Sequence, residues 1–151
     1  LKPRLHRWKF NLKTGATTEE DICNETIEFG VINQHIAGVE HRYTYSMVPT
    51  KGHFTFDGIT KHDHQKNSLS KYIFPKHVFI SEVSFAPKTG AIDEDDGYLV
   101  TISNDVREKS SSCLLFDAKD IEQGPVCNIP LPHQICSGTH ATWAQKSDLK
   151  S

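Results

Sequence analysis

TKHD, residues 60–63, closes an alternating β-branched and aromatic run, HFTFDGITKHD (53–63), and its outline returns twice in the chain. WKFN (8–11) and LLFD (114–117) likewise set a strand with a ring near its end against a turn-forming Asn or Asp, so that Asn11, Asp63 and Asp117 follow one another at 52 and 54 residues. A period near 50 suits a propeller blade, which needs four strands of about five to seven residues plus their connections. Around these anchors LHRWKFNLKTG (5–15), HRYTYSMV (41–48), HVFISEVSFAP (77–87), DGYLVTISND (96–105) and SSCLLFDAKD (111–120) also read as strands bounded by turn residues. Turns are expected at Asn11 to Gly15 and Lys88 to Gly90, and AKDIEQG (118–124) as one short helical turn. The chain is therefore expected to be all-β, with a propeller favoured over a sandwich or barrel. Three blades do not close a ring, and the chain opens on Leu1 directly in a strand pattern, so a portion of a longer protein is expected.

Composition narrows the function. A net charge of −2 over 151 residues provides no basic field for nucleic acid phosphates. No apolar run approaches the roughly 18 residues that span a bilayer, and no leader is visible, which leaves the compartment open. The four cysteines, Cys23, Cys113, Cys127 and Cys136, lie far apart and are expected as buried, reduced thiols. Nine histidines point towards metal chemistry.

Several residues could carry that chemistry. DEDDG (93–97) lacks the closing Glu of a calcium loop and reads as a solvated hairpin turn, with Asp96 and Gly97 supplying positive φ. His62 and His64 share a face if KHDH is a strand, but their polar neighbours favour an exposed turn. Glu28 and Glu82 interrupt apolar strands, where a carboxylate must face solvent or meet a donor such as a histidine N–H. Alternation does not decide which way Glu82 points. His140 lies among small residues in SGTHAT, and a lone histidine of this kind is read either as a packing residue or as a ligand.

Taken together, these segments resemble the C-terminal part of the carotenoid cleavage oxygenases, the group that includes apocarotenoid and stilbene-cleaving dioxygenases and the retinal pigment epithelium isomerase. LHRWKFNLKTG is similar to the family's L-x-R-W-x-x-x-x-x-T-G, IEFGVIN to EFPxIN, HRYTY to RYxY, and GITKHD to GLxKxD. SEVSFAP followed by EDDGYLV is similar to GEPVFVP and EDDGxLL, and LPHQICSGTHATW to LPxxxPxGxHGxW. The matches run in order from residue 4 to residue 143. Gly30, Val83, Ser84, Cys136 and Ala141 depart from the pattern, and these departures bear on the subfamily and substrate.

The resemblance implies a seven-bladed propeller of which this chain, 1–151, is roughly the last three blades, the N-terminal part being absent. It implies one non-haem Fe(II) on four histidines, with His140 matching the last ligand and the other three upstream. Glu28 and Glu82 match glutamates that orient ligand histidines from behind. The implied reaction is cleavage of a C=C bond of an apolar carotenoid, apocarotenoid or stilbene-like substrate by O2, giving two carbonyl products. A retinoid isomerohydrolase on the same iron site is the first alternative, and a non-catalytic propeller acting as an interaction module is the second. Peripheral membrane contact through segments outside this chain is compatible with the resemblance, as are cytoplasmic and plastid locations.

Overall fold

The computed structural model describes residues 2–146 and 148–149. The chain begins with a hairpin of β1 (His6–Phe10) and β2 (Thr17–Asp21). A four-stranded antiparallel meander follows, β3 (Glu28–Val31), β4 (Tyr43–Pro49), β5 (Phe56–Asp63) and β6 (Ser68–Ile73). After the short β7 (Val78–Ile80) comes a second meander, β8 (Ser84–Pro87), β9 (Gly97–Asp105), β10 (Ser110–Asp117) and β11 (Pro125–Pro130). Strand β7 pairs with β5 at Phe56 and Ile80 and with β9 from Val78 to Ile80, which stitches the two meanders together. Helical structure among the described residues is confined to two 3-10 turns, Gln34–Ile36 and Ile121–Gln123, the second where AKDIEQG placed it.

The chain is thus all-β, with two four-stranded blades and a two-stranded hairpin. The 50-residue repeat has a structural cause. Asp63 and Asp117 each end the strand that precedes a blade's last strand, and Asn11 directly follows β1 in the hairpin. Each turns the chain with its own carboxyl or amide oxygen. Asn11 Oδ1 accepts from the amides of Lys13 and Thr14, Asp63 Oδ1 from those of Gln65 and Lys66, and Asp117 Oδ1 from that of Lys119. Such side-chain-to-backbone bonds mimic a backbone turn, which is why Asn and Asp recur there.

The core lies between the meanders. Tyr45, Met47, Ile59, Ile80, Val83, Leu99, Phe116 and Ile121 are fully buried, and each contributes about 1.5–3 kcal/mol of apolar burial. Tyr45 stacks on Phe85 with ring centroids 5.8 Å apart, and its hydroxyl, whose ionisation burial pushes far up, donates to the Ala118 carbonyl.

Three expectations are corrected. First, the DEDDG segment is a clasp rather than a solvated turn. Glu94 accepts the backbone N–H groups of Arg42 and Tyr43, and its own carbonyl accepts from Asn33 Nδ2 at 3.1 Å. Asp95 pairs at 2.6 Å with Lys61, both side chains nearly buried, while the Lys61 ammonium lies 4.2 Å from the centre of the Tyr43 ring. Gly97 has no positive φ; it is needed for space, because a Cβ there would meet the Phe85 ring and lie 2.8 Å from the Ala86 carbonyl oxygen.

Second, His62 is not in an exposed turn. It lies on β5, 3% exposed, with neither ring nitrogen hydrogen-bonded, because strand β5 is covered on both faces. Third, the cysteines are free, as expected, but none is buried: Cys23 and Cys113 are half-buried and Cys127 and Cys136 are exposed.

Candidate metal centre

The local chain around Glu82 runs between β7 and β8 and is held rigidly. Ser81 donates its N–H to the Ile102 carbonyl and its own carbonyl accepts from Thr101 Oγ, each at 2.8 Å. Val83 packs into the core beside it, fully buried. This fixes Glu82, whose side chain is only 11% exposed, with its carboxylate directed at the irregular tail that follows β11.

That tail brings His140 to Glu82. Oε2 of Glu82 lies 3.4 Å from His140 Nδ1 and accepts the Ala141 N–H at 2.7 Å, so one carboxylate holds both the ring and the backbone beside it. At this separation the ring and the carboxylate are in electrostatic contact; with a proton on Nδ1 facing the carboxylate, Nε2 keeps the free lone pair. The His140 side chain is 76% exposed, so no described residue of this chain packs it into a core.

Phe29 completes the group. Its ring meets the His140 ring edge to face at 5.6 Å and the Phe56 ring at 5.5 Å. The reason lies in β3, where the register with β4 shifts between Glu28 and Val31 and Phe29 takes φ +53°. This bulge swings the Phe29 ring towards the tail. Glu28, at the start of the same bulge, pairs with Met47 through its backbone and is half-buried, and its carboxylate has no hydrogen bond to another described residue. The structure therefore brings His140 directly to Glu82 and links both, through Phe29, to the strand that carries Glu28.

Neutral imidazole nitrogen backed by a carboxylate is the arrangement found behind metal-bound histidines, and His140 with Glu82 has it. Among the described residues no group of three or more His, Cys, Asp or Glu side chains is arranged to hold a metal ion. These residues fit one ligand of a shared site.

A second histidine group, away from this site, holds His64, which the sequence set beside His62, and His41, which it did not single out. His64 Nδ1 lies 3.1 Å from Arg7 Nη2, and a guanidinium can only donate, so Nδ1 accepts. The proton is then on Nε2, which donates to Thr44 Oγ at 2.8 Å; Thr44 in turn donates to His41 Nε2 at 3.3 Å. Burial, with His62, His41 and Arg7 close by, lowers the His64 pKa to about 4. This group ties the β1–β2 hairpin to the neighbouring blade.

Sequence reasoning also missed Phe29, whose positive φ carries no sequence signal in an aromatic residue. It missed Ser81 too, although this serine stands where the GEPVFVP pattern has glycine.

Comparison with known proteins bears on this site. The family model for retinal pigment epithelial membrane protein matches residues 1–145. Carotenoid 9,10(9',10')-cleavage dioxygenase 1 of Phaseolus vulgaris is 29% identical over 97% of the chain and 30% of its own length. The carotenoid cleavage oxygenase of Mycobacterium tuberculosis is 30% identical over 95% of the chain and 29% of its own length. The crystal structure of cobalt-substituted Synechocystis apocarotenoid oxygenase superimposes with a TM-score of 0.87 at 25% identity, covering 95% of this chain and 30% of that one. The chain therefore spans about 30% of the length of the relatives it matches.

Proposed function

The chain belongs to the carotenoid cleavage oxygenases, a family of β-propellers, and from that premise we propose that its 151 residues are the C-terminal portion of one propeller domain and supply part of a mononuclear non-haem Fe(II) centre. His140 is the ligand, through Nε2. Glu82 and Glu28 accept N–H protons of ligand histidines, Glu82 from His140 itself. The remaining histidines come from the upstream blades.

The reaction is oxidative cleavage of one C=C bond in an apolar carotenoid, apocarotenoid or stilbene-like substrate. Both oxygen atoms of O2 end in products, one on each former alkene carbon, so two carbonyl compounds form and no other reductant is consumed. When bound, Fe(II) on neutral imidazoles supplies the one-electron chemistry that O2 requires. This chain's residues do the rest of what concerns them here. Glu82 fixes the His140 tautomer and raises its basicity, and the Ala141 N–H shares the same oxygen so that ring and backbone move together. Phe29 meets one side of the imidazole with an apolar ring.

The observation that carries this reading is the Glu82–His140 pair at 3.4 Å, a buried carboxylate behind an exposed imidazole. The cobalt-substituted relative, whose metal can be exchanged, supports it. The test uses the full-length protein purified without oxygen. It should retain about one Fe(II) per chain, and His140→Ala should lose both the iron and the cleavage products of an apocarotenoid and stilbene panel. Full-length protein that binds no iron, or His140→Ala with wild-type iron content and cleavage, overturns the reading. With a retinyl ester added to the panel, release of an isomerised alcohol and a fatty acid in place of two carbonyl products would assign the isomerohydrolase chemistry.

A further inference from the structure

We propose that Ser81 and Ser111 are positioning residues for His140, acting through the backbone of the tail that carries it. The inference rests on the iron reading above for its consequence, but not for its geometry.

Among the described residues after β11 there is no further strand. Residues 132–144 are exposed in this chain, so within it apolar burial does little to fix their path. Among the described residues, four amides between Leu131 and Ala141 donate to the folded body. Leu131 N–H reaches the Ser111 carbonyl at 2.9 Å. The other three end on side chains: Ile135 N–H on Ser111 Oγ at 3.0 Å, Gly138 N–H on Ser81 Oγ at 3.0 Å, and Ala141 N–H on Glu82 Oε2 at 2.7 Å. The last three anchors fall at every third residue, and His140 lies between the last two.

Each acceptor is itself immobilised. Ser111 is 2% exposed and donates its hydroxyl proton at 2.7 Å to Asn104 Oδ1, its cross-strand partner, which leaves its lone pairs for Ile135. Ser81 is 6% exposed, and its backbone is bonded on both sides to β9, through Ile102 and Thr101. A ligand on an exposed loop holds its geometry only if the loop is fixed to within about 0.5 Å. The two serines and Glu82 provide that fixation where no β-ladder does.

The test uses the full-length protein with Ser81→Ala, Ser111→Ala and the double variant. Ser84→Ala is the control, because it removes a buried hydroxyl that has no hydrogen-bond partner. Amide hydrogen exchange across residues 135–141 should quicken in Ser81→Ala and Ser111→Ala by about five-fold each, the worth of one hydrogen bond. Fe(II) dissociation should quicken in step, with a change in the X-ray absorption spectrum of the bound iron, and Ser84→Ala should alter none of these. Unchanged exchange in both serine variants, or an equal rise in Ser84→Ala, overturns the proposal. A wild-type protein that holds no Fe(II) overturns the iron reading instead, and the exchange measurement still decides the strap.

Discussion

Phe29 carries φ +53° and places its ring edge to face against His140 at 5.6 Å, a left-handed backbone in a residue type that seldom adopts one. That conformation costs about 1–2 kcal/mol, and contacts of the Phe29 ring with Phe56 and His140 offset it. Phe29→Ala keeps the strain and removes the contacts. Its expected effect is a loss of about 1–3 kcal/mol of stability together with faster iron release. Denaturant titration and metal dissociation kinetics check both, and unchanged iron release would show that the ring does not steady His140.

Glu82→Gln separates the two duties of the carboxylate. An amide oxygen still accepts the Ala141 N–H, so the tail should stay seated. The pull on the His140 Nδ1 proton weakens, and iron affinity should fall about 10- to 100-fold with little change in thermal stability. Glu82→Ala should lose the seat as well. Equal iron affinity in wild type and Glu82→Gln would remove Glu82 from the site.

The clasp at Asp95 makes a stability prediction. Asp95→Leu leaves the nearly buried Lys61 ammonium without its 2.6 Å carboxylate and should cost about 3–5 kcal/mol. Lys61→Met combined with Asp95→Leu removes both charges and should cost far less. Urea melts of the four proteins in the cycle measure the coupling; additive losses would mean that the pair is not coupled.

Acid should weaken the fold through His62 and His64. Burial holds both rings below the ordinary histidine value of 6.5, His64 down to about 4. As pH falls below 6.5 the unfolded chain takes up protons before the native one, so stability is full above that value and is lost progressively down to about pH 4. Arg7 from β1, together with His41, Thr44 and Asp63, faces these rings, and protonated His64 can no longer accept from Arg7. The slope should reach at most about 1.4 kcal/mol per pH unit for each histidine, and His64→Gln should flatten it. Stability curves between pH 7 and pH 4 that are identical for both proteins would refute this.

The sequence by itself determined what depends on neighbours along the chain. Alternation marked the strands, and Asn11, Asp63 and Asp117 marked the blade period because an Asx side chain turns the backbone two or three residues on. Motif order singled out Glu28, Glu82 and His140. Tertiary structure alone decided what depends on distant partners. Glu94 reaches the amides of Arg42 and Tyr43 across 52 and 51 residues, so DEDDG looked like a free turn until the blade closed over it. His62 looked exposed because its polar neighbours are sequence neighbours, while the strands that bury it are not. Glu82 meets His140 and Ala141 from 58 and 59 positions away, and Ser81 meets Gly138 from 57. Local chemistry writes turns and strands into a sequence; which carboxylate stands behind which histidine is settled only when packing brings separate strands together.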